Sequence, residues 1–389
     1  MSQTLNTTDF LKTVINTAEH YGFREYTEVA KRSECKECTE TKKISLPVRD
    51  RKKDGFHGVI SKAVVDFHDH KLFALEKPVF TYSIEALPKT EDIAITFNIF
   101  NVPKSIGESL LIQTYKTLLS DLGYDSYHIK INSLGDADSL QRYTRELTNF
   151  LRKRIDFLPP TARELFKDHA FHALRHLVET DHELSYKTPH PLESLSDTSR
   201  KHFRDIIEFL DNSDIPYEIE TKLLAHHECF SDVIFSLELE VEPYSEDETI
   251  LTIFGGRCDT FSKKHLNKDL THVSGIITLN RQLPKRLPRR NVVQPRVHLV
   301  HLGFAPKMHS LLLLETLKES GIAVYQSLAS DSLSEQIREA EENNSDYILI
   351  MGQKEYVEQS IIVRDMRAKN QEVISQHKLP NFMKQALKK

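Results

Sequence analysis

The sequence predicts an α+β chain: an antiparallel sheet interrupted by a helical insertion, then a small α/β unit. Three observations carry this. First, Val233, Phe235, Leu237, Leu239 and Val241 alternate with mostly polar partners, the period of two of a half-buried strand. Thr249 to Phe254 answers that run across an acidic turn containing Pro243, as an antiparallel pair with one buried face would. Second, Gln282 to Val297 holds Lys285, Arg286, Arg289, Arg290 and Arg296, three prolines and no acid, which is a linker signature. Third, the rhythm beyond it is β-α-β-α-β: Val297–Phe304, a helix from Met308 to Gly321, Ala323–Leu328, a helix from Ser332 to Asn344, then Tyr347–Met351. Strands alternating with helices argue a parallel sheet. The expected domains are therefore 1–282 with a helical insertion around 139–195, a basic linker over 283–296, and an α/β domain over 297–389.

The elements follow in order. Phe10, Leu11, Val14, Ile15 and Ala18 fall on one face of an amphipathic helix, and Gly22 suits the position after its end. Asp50 to Gly55 is a charged loop, and Ile93 to Phe100 a β-rich run. Ser105 with Glu108 three residues later has the spacing of a capping box, ahead of a stripe of Ile106, Leu110, Leu111, Leu118, Leu119 and Leu122 that stops at Gly123. Tyr127 to Ile131 is a short strand. From Asp138 a helix turns Leu140, Tyr143, Leu147, Phe150 and Leu151 inward. Leu158 to Pro191, rich in His and Pro, reads as small helices, and Asp197 as the cap of another helix with Phe203, Ile206, Ile207 and Leu210 on one face.

Composition narrows the function classes. The chain has 389 residues, with 52 Lys+Arg against 57 Asp+Glu, a net charge of −5, 4 Cys and no Trp. With 39% apolar residues it is a folded globular protein, not a disordered one. No apolar run approaches the roughly 18–20 residues of a membrane span. The opening MSQTLNTTDFLK lacks a basic and an apolar signal region, and four Cys make no disulfide framework, so a cytoplasmic protein with reduced thiols is expected. Mild acidity excludes a basic coat over the whole surface but not a local basic face.

Four segments carry a family resemblance that spans nearly the whole chain. Lys130-Ile131-Asn132-Ser133-Leu134-Gly135-Asp136 resembles the LNSLGD segment of histidyl-tRNA synthetases. Ile215-Pro216-Tyr217-Glu218-Ile219 resembles their IPYEID stretch, and Gly255-Gly256-Arg257-Cys258-Asp259 their GGRYD segment. Val297 to Met351 resembles their C-terminal anticodon-binding domain. The resemblance implies a class II synthetase-like antiparallel sheet core followed by an anticodon-binding-like domain. It also implies a homodimer, tRNA as partner and, for an active member, ATP and Mg²⁺.

The departures fall on the chemistry. The family's RGLDYYTG stretch is matched here by residues 223–233, with Ala225 where the Arg contacting carboxylate and phosphate should stand. Cys229 and Phe230 stand where its tyrosines should be. The second class II motif, FRYE, is here Phe80-Thr81-Tyr82-Ser83: Thr81 replaces the α-phosphate Arg and Ser83 the Glu. A threonine cannot supply a planar, permanently charged fork for phosphate. The pocket acid falls near Gly58. Tyr21 to Glu25 resembles the first motif, which builds the family's dimer interface, but Val29 stands for its proline. The third motif keeps Arg281 after Asn280, which leaves Arg281 as an ATP-side group, and Arg257, Asp259, Glu228 and Phe230 as pocket groups. For Arg257 and Asp259 the competing reading is structural, a turn held against the sheet.

Activation joins two anions, so the site must supply cations. Losing one such donor costs about 3 kcal/mol, and two of three arginines are gone. The expectation is a degenerate paralogue without catalytic residues (Thr81, Ser83 and Ala225 being the degenerate positions), acting as a binding or regulatory protein with a partner protein or tRNA. One such paralogue regulates the first enzyme of histidine biosynthesis, usually without the C-terminal domain retained here. The alternative is an active divergent ligase using ATP and Mg²⁺. Ser330 to Asp346 carries six acids and one base, read either as a solvated helix face or as loss of anticodon binding.

No metal site is expected. Cys35-Lys36-Glu37-Cys38 has no second pair at finger spacing. His169, His172 and His176 would share one helical face, but read as packing or surface groups. Of His226-His227-Glu228, neighbours on a strand point opposite ways. The basic linker has no interleaved aromatics for nucleic acid. Leu302 to Lys307 is no dinucleotide loop, lacking G-x-G-x-x-G.

Overall fold

The computed structural model describes residues 6–33, 55–70, 72, 77–87, 90, 92–124, 126–224, 229–239, 251–288 and 294–388. Cys35, Cys38, Ala225, His226, His227, Glu228, the charged loop at Asp50 and the acidic turn at Pro243 lie outside them.

The first part of the chain builds an eight-stranded sheet, in the order β1-β2-β3-β8-β7-β6-β4-β5. Its strands are β1 (Arg24–Glu25), β2 (Val79–Ala86), β3 (Asp92–Phe100), β4 (Tyr127–Gly135), β5 (Tyr217–Ile219), β6 (Ser231–Leu239), β7 (Leu251–Arg257) and β8 (His272–Gln282). The core pairs are antiparallel, as expected, but both edge pairs, β1 with β2 and β4 with β5, are parallel.

Helices cover both faces. One layer holds α1 (Thr7–His20) and, further along the chain, the long helix after β3 (Ile106–Asp121). The other holds Gly55–Asp69 and the insertion helices, Ala137–Arg152, Pro160–Asp168 and Ala170–Glu179. In chain order α2 is Tyr26–Ser33, α3 Gly55–Asp69, α4 Ile106–Asp121, α5 Ala137–Arg152, α6 Pro160–Asp168, α7 Ala170–Glu179, α8 Asp197–Asn212 and α9 Asp259–Leu266. No helix among the described residues is long and apolar enough to cross a membrane.

α1 buries Phe10, Leu11, Val14, Ile15 and Ala18, and Gly22 with φ +89° ends it. That left-handed turn is open to glycine at no steric cost. Several local expectations are corrected. Ser105 makes no side-chain cap bond, because its own backbone is already helical (φ −55°, ψ −14°), and the Glu108 side chain goes to a buried guanidinium. Ser196, not Asp197, caps α8 through Ser199 N. β4 continues past Ile131 to Gly135, because β6 offers it pairing as far as Asp232. His169 is the N-cap of α7, its ring accepting from Phe171 N, so the 169/172/176 triplet does not share one helical face.

Gly255 and Gly256 lie inside β7 rather than after it. A Cβ on Gly255 would sit 2.5 Å from the ring of Phe235, which is fully buried and cannot retreat. We expect Gly255→Ala to cost about 1–3 kcal/mol by overpacking; an unchanged thermal midpoint would refute that.

The second part forms a five-stranded sheet, β10-β9-β11-β12-β13, of Val324–Gln326, Val297–His301, Tyr347–Met351, Ser360–Asp365 and Asn370–Ser375. β10, β9 and β11 are parallel, crossed by α10 (Phe304–Glu319) and α11 (Leu333–Glu342). α12 (Gln353–Val357), an antiparallel hairpin and α13 (Leu379–Ala386) complete it. This sheet does not stand apart. One hydrophobic cluster runs from Phe10 and Leu11 of α1 through Tyr115 and Leu118 of α4 to Leu311 and Leu314 of α10. Lys116 pairs with Glu315 at 2.8 Å, and His20 Nε2 lies 2.9 Å from the Leu314 carbonyl.

Candidate functional site

Thr81 and Ser83 lie on the face of the large sheet under α3. Register sets two rows across it. Thr81 of β2 stands opposite Asn98, Asn98 opposite Ser274 and Ser274 opposite Gly256. One step along, Ser83, Thr96, Ile276 and Phe254 form the next row. The two rows of this floor hold four hydroxyls, one amide, a glycine and two apolar side chains, with no charge in either.

Around Asn98 the polar groups satisfy one another, whereas Thr96 Oγ1 is buried without a hydrogen-bond partner among the described residues. Asn98 Oδ1 accepts from Ser274 Oγ at 2.9 Å and lies 3.0 Å from His272 Nε2. His272 Nδ1 lies 3.1 Å from Ser262 Oγ. Burial, helped by Arg257, pushes the His272 imidazole down to about 3, so the ring is neutral and uses both nitrogens. Phe100 stacks on that ring at 4.3 Å and on Phe67 of α3 at 4.0 Å. Thr81 is 1% exposed beneath this layer. Gly58 lies on α3, with no atom within 4 Å of where a Cβ would be.

Arg257 is not in that floor. Parity along β7 turns it to the opposite side, against α4. There Nε donates to Glu108 Oε1 at 2.7 Å and Nη2 to Oε2 at 2.6 Å, a bidentate pair. Nη2 also donates to the Lys104 carbonyl, and Nη1 to the Val102 carbonyl and Asp259 Oδ2. All five N–H groups of the guanidinium are engaged. His202 Nε2 adds a contact to Glu108 Oε1 at 2.7 Å. Burial alone would raise the Glu108 pKa, yet Arg257 and His202 hold its carboxyl far below the usual range. Asp259 accepts the His272 backbone N–H at 2.7 Å with its other oxygen. Arg257 and Asp259 thus hold the strand ends together.

The structure separates the other candidates. Phe230 is buried on the α3 side, its ring 5.4 Å from that of Phe254 and against Gly256, so it shares no pocket with Arg257. Arg281 sits in the irregularity where pairing jumps from Ile93–Leu279 to Asp92–Gln282. It is seven residues along β8 from Ser274, roughly 20 Å of strand from the level of Thr81. Ala225 and Glu228 fall outside the described residues. Sequence reasoning missed Glu108, His202, Asn98 and His272. The signal for one was there: Glu108 is a lone acid in the buried stretch of α4, and a buried carboxylate demands a cation.

In the second part, the acids of Ser330–Asp346 divide. Asp331 receives Lys104 and the nearly buried Lys307, both at 2.5 Å. Asp346 is held between Arg296 and Arg367. Glu335, Glu341 and Glu342 remain exposed.

Comparison with known proteins agrees with this layout. Residues 308–386 match the anticodon binding domain family. The chain is 26% identical over 277 residues to histidine–tRNA ligase of Cyanothece sp., covering 70% of this chain and 63% of that protein. It is 22% identical over 275 residues to histidine–tRNA ligase of Geobacillus sp., covering 69% and 64%. The chain is thus similar to histidine–tRNA ligases over about 70% of its length. It spans less than two thirds of the length of these curated relatives. The S. aureus histidyl-tRNA synthetase structure aligns over 98% of this chain and 97% of its own, at 15% identity and a TM-score of 0.49. The row of Thr81 is buried and uncharged. The residues present there do not fit an anionic phosphate.

Proposed function

We propose that this chain is a member of the histidyl-tRNA synthetase family that does not form histidyl-adenylate and acts as a binding or regulatory paralogue. The observation that carries the reading is the uncharged floor. Attack of a carboxylate on a phosphate needs preorganised positive charge where charge develops. Thr81 and Ser83 offer none, and Arg257 is fully spent on Glu108, Asp259 and two carbonyls. No step through ATP is derived from these residues. The proposed setting is a cytoplasmic homodimer. tRNA is the partner to test first, because 308–386 match an anticodon binding domain; a partner protein is the other.

The test is ATP–pyrophosphate exchange with Mg²⁺ and histidine. We expect no histidine-dependent exchange above background. Exchange at a normal synthetase rate would establish the opposite, an active divergent ligase using ATP and Mg²⁺.

A further inference from the structure

Away from the sheet floor, α5 and Thr260 of α9 line a cleft of about 550 Å³. That lies within the range of small-molecule sites. The charges along it are selective. Arg145 and Arg152, seven residues apart on one side of α5, both line the cleft, and among the described residues neither has an ion pair or a hydrogen bond. Three cationic neighbours that do not line it are engaged. Arg142 donates to the Ser194 carbonyl at 2.8 Å, Arg154 to that of Phe150, and Lys167 pairs with Glu164 at 2.7 Å.

No carboxylate is among the described lining residues, in a chain that carries 57 acids. Gln141 and Asn149 place amides beside the arginines. Thr144 and Thr148 donate their hydroxyl protons to the Leu140 and Thr144 carbonyls, which leaves their oxygens able to accept. Among the described lining residues there is no aromatic ring to stack on a base.

The geometry points to a binding site for a small bisphosphorylated polyol, a sugar bisphosphate in chemical class. Two guanidiniums, separated by roughly 10 Å of helix rise, each take one phosphate as a charge-assisted fork. The threonine oxygens and side-chain amides between them take the hydroxyls of the carbon chain. This site lies outside the family's adenylate pocket, and its occupancy is independent of whether adenylate forms.

The test is titration calorimetry on the full chain at low salt, with fructose 1,6-bisphosphate, fructose 6-phosphate, ATP and a short single-stranded RNA as probes. We expect the bisphosphate to bind at least about ten-fold tighter than the monophosphate, and Arg145→Gln or Arg152→Gln each to weaken it by about ten-fold, the scale of one charged hydrogen-bond contact. Lys167→Gln, outside the cleft, should bind as the unaltered chain does. Both arginines are exposed, so circular dichroism and thermal midpoints should not move. No bisphosphate binding, equal affinity for mono- and bisphosphate, binding unchanged in both variants, or binding of ATP or RNA alone would each overturn the proposal.

Discussion

Arg257→Met is expected to lower folding stability by about 3–5 kcal/mol, the cost of leaving one partner of a buried ion pair uncompensated. Glu108 is 0% exposed and would keep only His202 as a counter-charge. The Lys104 and Val102 carbonyls would lose their donor as well. The double variant Arg257→Met with Glu108→Leu should recover most of the loss, because no charge is then stranded. A urea-unfolding cycle over the four proteins measures the coupling. A loss under about 1 kcal/mol in the single variant would mean that the pair is dispensable.

The same cluster sets a pH dependence. Glu108 has a depressed folded pKa, so its contribution is full above the unfolded value of 4.5 and fades as pH falls. His202 is the opposite case. Burial would lower its pKa, but Glu108 outweighs burial and raises it. Its contribution is complete below 6.5 and is lost as pH climbs through the raised value.

Acidification from pH 6.5 towards 4 is expected to destabilise the fold steeply, through histidines buried in the neutral form. Burial pushes His298 and His301 down to about 4 and, with Arg257 adding to it, His272 down to about 3. Unfolded imidazoles take protons near 6.5 while the folded ones refuse them, so stability drops throughout that window. A pKa difference of one between folded and unfolded states is worth about 1.4 kcal/mol, so each ring contributes on the order of a few kcal/mol.

His301 isolates the effect. It is 1% exposed, and neither ring nitrogen has a hydrogen bond of good geometry. Lys307 beside it further opposes a second positive charge. His301→Phe removes the proton acceptor and keeps a ring of similar shape, so stability at pH 7.5 should hold or rise while the acid limb becomes shallower. Superposable pH profiles for the two proteins would show that His301 does not titrate across unfolding.

The sequence carried the sheet and helices well where periodicity was strong. Val233 to Leu237 is a strand with Val233, Phe235 and Leu237 facing the core, and the alternation 297–351 became a parallel β-α-β-α-β run. What it could not carry was anything set by register between distant segments. Ser105 and Glu108 have capping-box spacing, and only the placement of β7 beside α4 shows that Glu108 serves Arg257. Phe230 and Arg257 read as one pocket along the chain, yet Phe230 packs on the α3 side while strand parity along β7 turns Arg257 to the other face. The antiparallel hairpin Ser360–Ser375 lay unread because its outer strand is mostly exposed and polar. The floor row was half legible: that Thr81 and Ser83 carry no charge shows in the sequence, but the burial of Thr81 under α3 does not.

The apolar seam joining α1 and α4 to α10 has a consequence for how the molecule can be taken apart. Cutting the chain in the proline-rich stretch would leave each half with an uncovered greasy wall, one built around Phe10, Leu11 and Leu118, the other around Leu311 and Leu314. Neither piece would keep its solubility in water, and heat should melt the two sheets together, as one body.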